Sequence, residues 1–195
     1  MRRNARSSPL SDRILRTAVE LFAEHGFDAT TVQQIVDAAE VTKGALYHYF
    51  DSKNDLLFEI YHSLIGTQTA DLARIAGQDV DAAEKVRAIL LNVVETTTAR
   101  INEAAVFSRE VSKLDAARMT EFRADRRRYH ETLRDVIATA QETGIFAPVV
   151  PADTVVRIAM GAVNQLPTWY RSDGEKTPRE IGTELADFVL AALRP

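Results

Sequence analysis

Between Thr31 and Lys53 the chain concentrates side chains that hydrogen-bond strongly without being nucleophiles: Thr31, Thr42, Lys43, Gly44 (through its bare backbone), Tyr47, His48 and Lys53. An ammonium donates and carries a point charge, a phenol or an imidazole donates or accepts, and a threonine hydroxyl does both. Lys43 with Tyr47 and Gly44 with His48 are two parallel pairs, four residues apart, on one side of a helix. Such a face suits non-covalent recognition of phosphates and base edges. Bond-breaking chemistry lacks its parts. The histidines, His25, His48, His62 and His130, stand far apart, and none has the spacing of a zinc-binding helix. No cysteine is present to supply a thiolate, a nucleophile or a disulfide. A glycine-rich phosphate loop is missing, and neither Gly161 nor Gly182 has the G-x-S-x-G surroundings of a nucleophile elbow. The chain reads as no enzyme, with no cofactor and no metal site.

These residues need two short helices and a tight turn to hold them. Thr30 followed by Gln33 predicts a capping box at a helix start. Val32, Ile35, Val36 and Ala39 then recur on one helical face, and the run stops at Glu40 and Val41. Thr42 predicts the cap of the second helix, in which Leu46 and Phe50 enter a core with Val41. Gly44 is a poor helix former that lets the backbone approach a phosphate. The pattern describes a helix-turn-helix whose second helix enters the major groove.

The stretch resembles the DNA-binding motif of the TetR family of transcriptional regulators, through F-D-A-T-T-V before the turn, T-K-G-A-L-Y-H-Y-F across the second helix and S-K-N-D-L-L opening the next. The resemblance implies that Thr42, Lys43, Gly44, Tyr47, His48 and Lys53 contact an operator and that Thr31 touches a phosphate. The alternative for Tyr47 and His48 is a solvated aromatic patch.

At 195 residues, 46% of them apolar, the chain can bury a substantial core. A net charge of −4 does not exclude DNA, because Arg2, Arg3, Arg6, Arg13 and Arg16 crowd the start with only Asp12 opposing them. Residues 1–8 read as a disordered basic arm. No apolar segment follows them, and no apolar run is long enough to span a membrane, so a cytoplasmic location is the expectation.

The elements around the motif all read as helices, about nine in total. Residues 1–51 form a three-helix DNA-binding domain and 52–195 a larger ligand-binding and dimerisation domain. The first helix starts at Ser8-Pro9 or at Ser11, buries Ile14, Leu15, Ala18, Leu21 and Phe22, and ends at Gly26 in the left-handed conformation. Ser52 caps a fourth helix running through Leu64 toward Ile75, a rod of roughly 35 Å that makes a candidate lever. Gly77 ends it. Helices follow over Val80–Arg100, with a bend expected at Thr96, Thr97 and Thr98, over Ile101–Leu114 and over Asp115–Thr143. Ile145-Phe146-Ala147 reads as an extended connector, and the last helices cover Ala152 to Tyr170, with a kink at Pro167, and Thr177 to Leu193.

Ala152 to Tyr170 reads as apolar nearly all round and so needs cover on every side. The resemblance supplies that cover as a homodimer whose last two helices build a four-helix bundle, with Val155, Ala159, Ala162, Val163, Leu185, Phe188 and Val189 at the interface; a wholly internal helix is the alternative. A dimer implies a palindromic operator on double-stranded DNA.

For the larger domain the family implies a small hydrophobic effector. The runs R-R-R-Y-H-E-T-L-R-D-V-I-A-T-A-Q-E-T-G-I-F and N-Q-L-P-T-W-Y-R-S-D-G-E-K-T-P-R-E-I look like regulators of fatty-acid or steroid catabolism, whose effectors are acyl-CoA thioesters. Asn164, Gln165, Thr168 and Trp169 are candidate ligand contacts, because polar groups in an apolar helix need partners, and Phe107, Arg109 and Met160 are candidates to line the same cavity. Arg118, Arg123, Arg126, Arg127 and Arg128 either meet CoA phosphates or form a solvated face paired with Glu121, Asp125 and Glu131. The expected function is a ligand-responsive repressor. A regulator of efflux or detoxification genes answering a free hydrophobic compound, and a helix-turn-helix that holds a protein partner, are the alternatives.

Overall fold

The computed structural model describes residues 8–194. Residues 1–7, most of the expected arm, lie outside the described residues. The described residues are all-helical: α1 (Pro9–His25), α2 (Val32–Ala38), α3 (Lys43–Tyr49), α4 (Lys53–Ala76), α5 (Ala82–Ala99), α6 (Ile101–Glu110), a 3-10 turn (Val111–Lys113), α7 (Ala116–Glu142), α8 (Ala152–Asn164), α9 (Leu166–Trp169) and α10 (Pro178–Ala192). The segment expected as one helix from Ala152 is broken into α8 and α9, with Pro167 in the first turn of α9. The chain groups into two compact units, Met1–Ser63 with Asn102–Glu121 and Leu64–Ile101 with Phe122–Pro195, and α4 and α7 contribute residues to both.

In the first unit α1 begins at Pro9, because Ser8 and Ser11 complete a reciprocal capping box. Its buried face is Ile14, Ala18, Val19 and Phe22. Gly26 stops it with φ +82° and ψ 161°, a conformation open to glycine but outside the left-handed helical region expected for it. The capping box of α2 sits one residue later than Thr30–Gln33. Thr31 Oγ1 accepts the Gln34 N–H at 3.1 Å, and the Thr31 N–H donates to Gln34 Oε1 at 2.7 Å. Thr30 cannot serve as the cap because it is fully buried, and its hydroxyl donates to the Gly26 carbonyl at 2.8 Å and that of Leu21 at 3.2 Å. The turn between α2 and α3 passes through Glu40 at φ 52°. There the Val41 N–H donates to the Val36 carbonyl at 2.9 Å. Leu46 and Phe50 then enter a core with Ile35, Val36 and Ala39.

Lys53 opens α4 and crosses back to the turn after α1. Its ammonium lies 2.7 Å from the Phe27 carbonyl oxygen, 2.8 Å from that of Thr30 and 4.3 Å from the Phe27 ring centroid. On the next turns Asn54 donates to the Lys113 carbonyl at 2.7 Å and accepts the Asp115 N–H at 3.1 Å, while Asp55 pairs with Arg118. Glu110 accepts the Phe27 N–H at 3.3 Å, and Lys113 pairs with Asp28.

The second unit is built on α5 and α10, which approach closely where Gly182 meets α5: a Cβ at that glycine would lie 3.1 Å from Leu91 Cα. Val86, Ile89, Leu90, Val93 and Val94 of α5 are buried, as are Leu133 and Ile137 of α7 and Ala186 and Val189 of α10. The three threonines do not interrupt α5. Thr96, Thr97 and Thr98 donate their hydroxyl protons to the carbonyls of Asn92, Val93 and Val94 at 2.7, 2.6 and 2.8 Å, which satisfies them inside the helix. The connector after α7 is bent rather than extended, since the Phe146 N–H folds back to the Ala140 carbonyl at 3.0 Å and Phe146 is buried.

Lys53→Met strips two carbonyls of their charged donor, and the expected loss is about 1–3 kcal/mol of unfolding free energy in urea. A change inside a few tenths of a kcal/mol would show that the ammonium contributes nothing there.

Candidate nucleic-acid interface and effector site

The outward face of α3 is what remains after its core residues are placed. Thr42 caps the helix, its Oγ1 accepting the Ala45 N–H at 3.1 Å, and keeps its own hydroxyl proton for a further acceptor. Lys43, Gly44, Tyr47 and His48 are exposed. Tyr47 shows 47% of its surface. The imidazole of His48 lies edge-on to Tyr49, 4.9 Å between ring centroids. The helix carries no carboxylate, and among the described residues Lys43 has no ion-pair partner. A phosphate oxygen thus meets no carboxylate on this helix.

Two of the seven candidate DNA contacts are engaged differently. Thr31 donates its hydroxyl proton to Gln34 Oε1 at 2.9 Å, so the outward donor at the start of α2 is the Gln34 amide nitrogen, which sequence reasoning passed over by setting the capping box one residue early. Lys53 spends its ammonium on the Phe27 and Thr30 carbonyls, with that of Asp28 at 3.5 Å, which makes it a positioning residue for the motif rather than a free cation.

The candidate ligand contacts do not gather in one unit. Phe107 stacks on Tyr61 with centroids 4.4 Å apart, and Arg109 donates to the Ala23 carbonyl at 3.3 Å, both within the first unit. Met160, Asn164, Gln165, Thr168 and Trp169 belong to the second. Asn164, Gln165, Thr168 and Trp169 are exposed rather than enclosed, with 53% of Trp169 in solvent, because they fall on the outer side of α8 and α9. Of the arginines, Arg118 pairs with Asp55 and Arg128 with Asp125 at 3.6 Å, and Arg126 lies 5.7 Å from the Phe122 ring centroid, while Arg123 and Arg127 are exposed.

The candidate dimer residues divide as well. Val155, Ala159, Val163 and Val189 are buried in the chain's own core and present nothing to a second copy; Leu185 is half-buried; Ala162 and Phe188 are exposed. The outward side of α8 carries Thr154, Arg157, Ile158, Gly161 and Ala162, polar at the first two and apolar at the rest.

Inside the second unit the structure assembles a polar cluster that the sequence reading missed. Gln68 of α4 is 7% exposed and donates its amide hydrogens to Thr97 Oγ1 at 3.0 Å and Thr96 Oγ1 at 3.2 Å. One turn on, Asp71 accepts from Arg74 at 3.0 Å and from Asn92 at 3.1 Å, and these two partners hold its carboxyl below the usual range. Tyr129 of α7 is 4% exposed; burial, and behind it the charge of Asp71, pushes its phenol above the ordinary tyrosine range. The available signal was a glutamine on the inner stripe of α4 opposite consecutive threonines of α5. Among the described residues no group of three metal-ligating side chains gathers, and no helix is long and apolar enough to cross a membrane.

Residues 14–60 match the model of bacterial regulatory proteins of the tetR family, and residues 79–193 match the tetracyclin repressor-like C-terminal domain. Over 181 residues the chain is 28% identical to the HTH-type transcriptional repressor KstR2 of Rhodococcus jostii (strain RHA1), covering 92% of this chain and 89% of that one. Among solved structures, the TetR family transcriptional regulator PfmR of Thermus thermophilus superposes with a TM-score of 0.85 at 27% identity, over 94% of this chain and 100% of that one. AibR, solved with isovaleryl coenzyme A and operator DNA, gives a TM-score of 0.77 at 25% identity, over 95% and 98%. With a C-terminal match spanning more than half its length and a helix-turn-helix match ahead of it, the chain belongs to the TetR family of bacterial regulatory proteins.

Proposed function

We propose that this protein is a transcriptional repressor that binds a palindromic operator as a homodimer and is released by a small hydrophobic effector, an acyl-CoA thioester. The observation that carries the DNA reading is the acid-free outer face of α3, where Lys43, Tyr47 and His48 are exposed around Gly44. Lys43 and Tyr47 reach base edges or phosphates, Thr42 donates its free hydroxyl proton to a phosphate, and Gly44 lets that phosphate approach the backbone. Gln34 serves the start of α2, and Lys53 keeps the motif in shape. Binding of this kind weakens as salt rises, through release of counterions from the duplex.

The dimer face of this proposal is the outward side of α8 and α10, with Ile158 55% and Phe188 64% exposed beside Gly161 and Ala162. Small residues between large apolar ones admit a second helix closely, and covering such surface drives association. The thioester reading draws support from the likeness to AibR, whose structure holds isovaleryl coenzyme A.

A gel-shift titration on the DNA upstream of the protein's own gene, with and without acyl-CoA thioesters and their free acids, tests the whole reading. Release by a thioester and not by its acid is the expected result; release by a free hydrophobic compound alone would point to an efflux or detoxification regulator. Lys43→Ala and Tyr47→Ala are expected to weaken operator binding at least about tenfold with unchanged helical content; wild-type shifts from either would remove that residue from the interface. Phe188→Asp should sediment as a monomer and lose cooperative operator binding, whereas a persistent dimer would move the interface elsewhere.

A further inference from the structure

The turn between α2 and α3 is built against the preference of the residue that makes it. Glu40 takes φ 52°, and among the described residues it is the only one other than glycine with a positive φ. Glycine enters that region freely, and asparagine or aspartate is helped there by a short side chain that bonds to nearby backbone. Glutamate has neither advantage. Its side chain is exposed, and its carboxylate makes no hydrogen bond or ion pair among the described residues. The fold uses only the backbone of Glu40, whose N–H donates to the Asp37 carbonyl at 3.2 Å. Between Thr31 and Phe50 the chain holds one other acid, Asp37, and that carboxylate accepts from the Gln33 amide at 2.7 Å. Glu40 therefore leaves an unengaged carboxylate in the turn, two residues before Thr42 and three before Lys43. Two residues of chain span at most about 7 Å, which is inside the Debye length of about 8 Å at physiological ionic strength.

We infer that Glu40 attenuates operator binding: its carboxylate stands beside the start of α3, repels the DNA backbone and holds the affinity below what Thr42, Lys43 and Tyr47 would give without it. The inference rests on the operator reading above and adds a residue that opposes it. Repulsion suits the place better than base reading does. A carboxylate can accept from cytosine N4 in the major groove, but the contact residue nearest to Glu40 along the chain, Thr42, is the one proposed above to meet a phosphate. A repressor that must let go gains from such a brake, because an effector shifts the equilibrium only by its differential affinity for the two states.

The test uses the full chain and the DNA upstream of the protein's own gene, in gel-shift titrations at about 50 and 200 mM salt. Glu40→Gln keeps the strained turn and removes the charge. It is expected to bind about two- to threefold more tightly per half-site, about four- to ninefold for a dimer on two half-sites, with the larger gain at low salt. Glu40→Gly removes the strain as well, so it should show the same gain in affinity and a Tm raised by about 2–4 °C. Glu142→Gln, which neutralises an exposed acid of the second unit, is expected to leave the affinity unchanged. Tighter binding by both Glu40 variants and not by Glu142→Gln supports the inference. Wild-type affinity in Glu40→Gln, or an equal gain in Glu142→Gln, would overturn it. Weaker binding by Glu40→Gln overturns it in favour of a base contact, and a gain confined to Glu40→Gly overturns it in favour of the backbone. If neither the wild-type protein nor any variant shifts the DNA, the operator reading itself falls and the inference with it, whereas wild-type binding without a Glu40 effect removes the inference alone.

Discussion

The turn after α1 is the constraint on which the DNA-reading unit depends. Shortly after that helix ends, the backbone must reverse and start α2 at a set angle, and its carbonyls have no ladder to enter. Thr30 takes two of the α1 and turn carbonyls, and the Lys53 ammonium takes those of Phe27 and of Thr30 itself. The ammonium, with three protons, serves several carbonyls at once and adds a charge over the Phe27 ring. With that turn pinned from α4, burial of Ile35, Val36, Leu46 and Phe50 seats α2 and α3, and the outer face of α3 is left to solvent.

Polar contacts from the other end of the same unit reach this turn and the start of α4. Glu110 holds the Phe27 N–H, Lys113 pairs with Asp28, and Asn54 and Asp55 bind Lys113, Asp115 and Arg118. Asp55 is buried, so removing Arg118 would leave its carboxylate without its cation, at a cost of several kcal/mol. The α6–α7 corner is therefore tied to the turn and to the start of α4 by directional interactions, and directional interactions are the kind that a small displacement breaks.

The second unit divides its labour differently. Apolar burial between α5 and α10 sets the frame, helped by the missing side chain at Gly182. Against that frame a few polar groups stand out: Gln68, Asp71, Asn92, Thr96, Thr97 and Tyr129. Gln68 spends its amide hydrogens on Thr96 and Thr97, and Arg74 and Asn92 hold the Asp71 carboxylate.

By itself the sequence determined that the chain is helical, where most helices begin and end, and which residues face outward on α3. Those are local properties: caps, glycine stops and the periodicity of apolar residues act within a turn or two. The solvated face of α3 was legible for the same reason, since Leu46 and Phe50 had to go inward and Lys43, Tyr47 and His48 were what remained. Only the tertiary structure decided the rest. Thr30 and Thr31 are alike as side chains, and burial against α1 chose which one caps. Lys53 looked like a free cation until carbonyls 23 and 26 residues earlier in the chain claimed it. The outward positions of Asn164, Gln165 and Trp169, and the inward ones of Gln68 and Tyr129, depend on which side of each helix its neighbours cover, and that is a property of packing between segments distant in the chain.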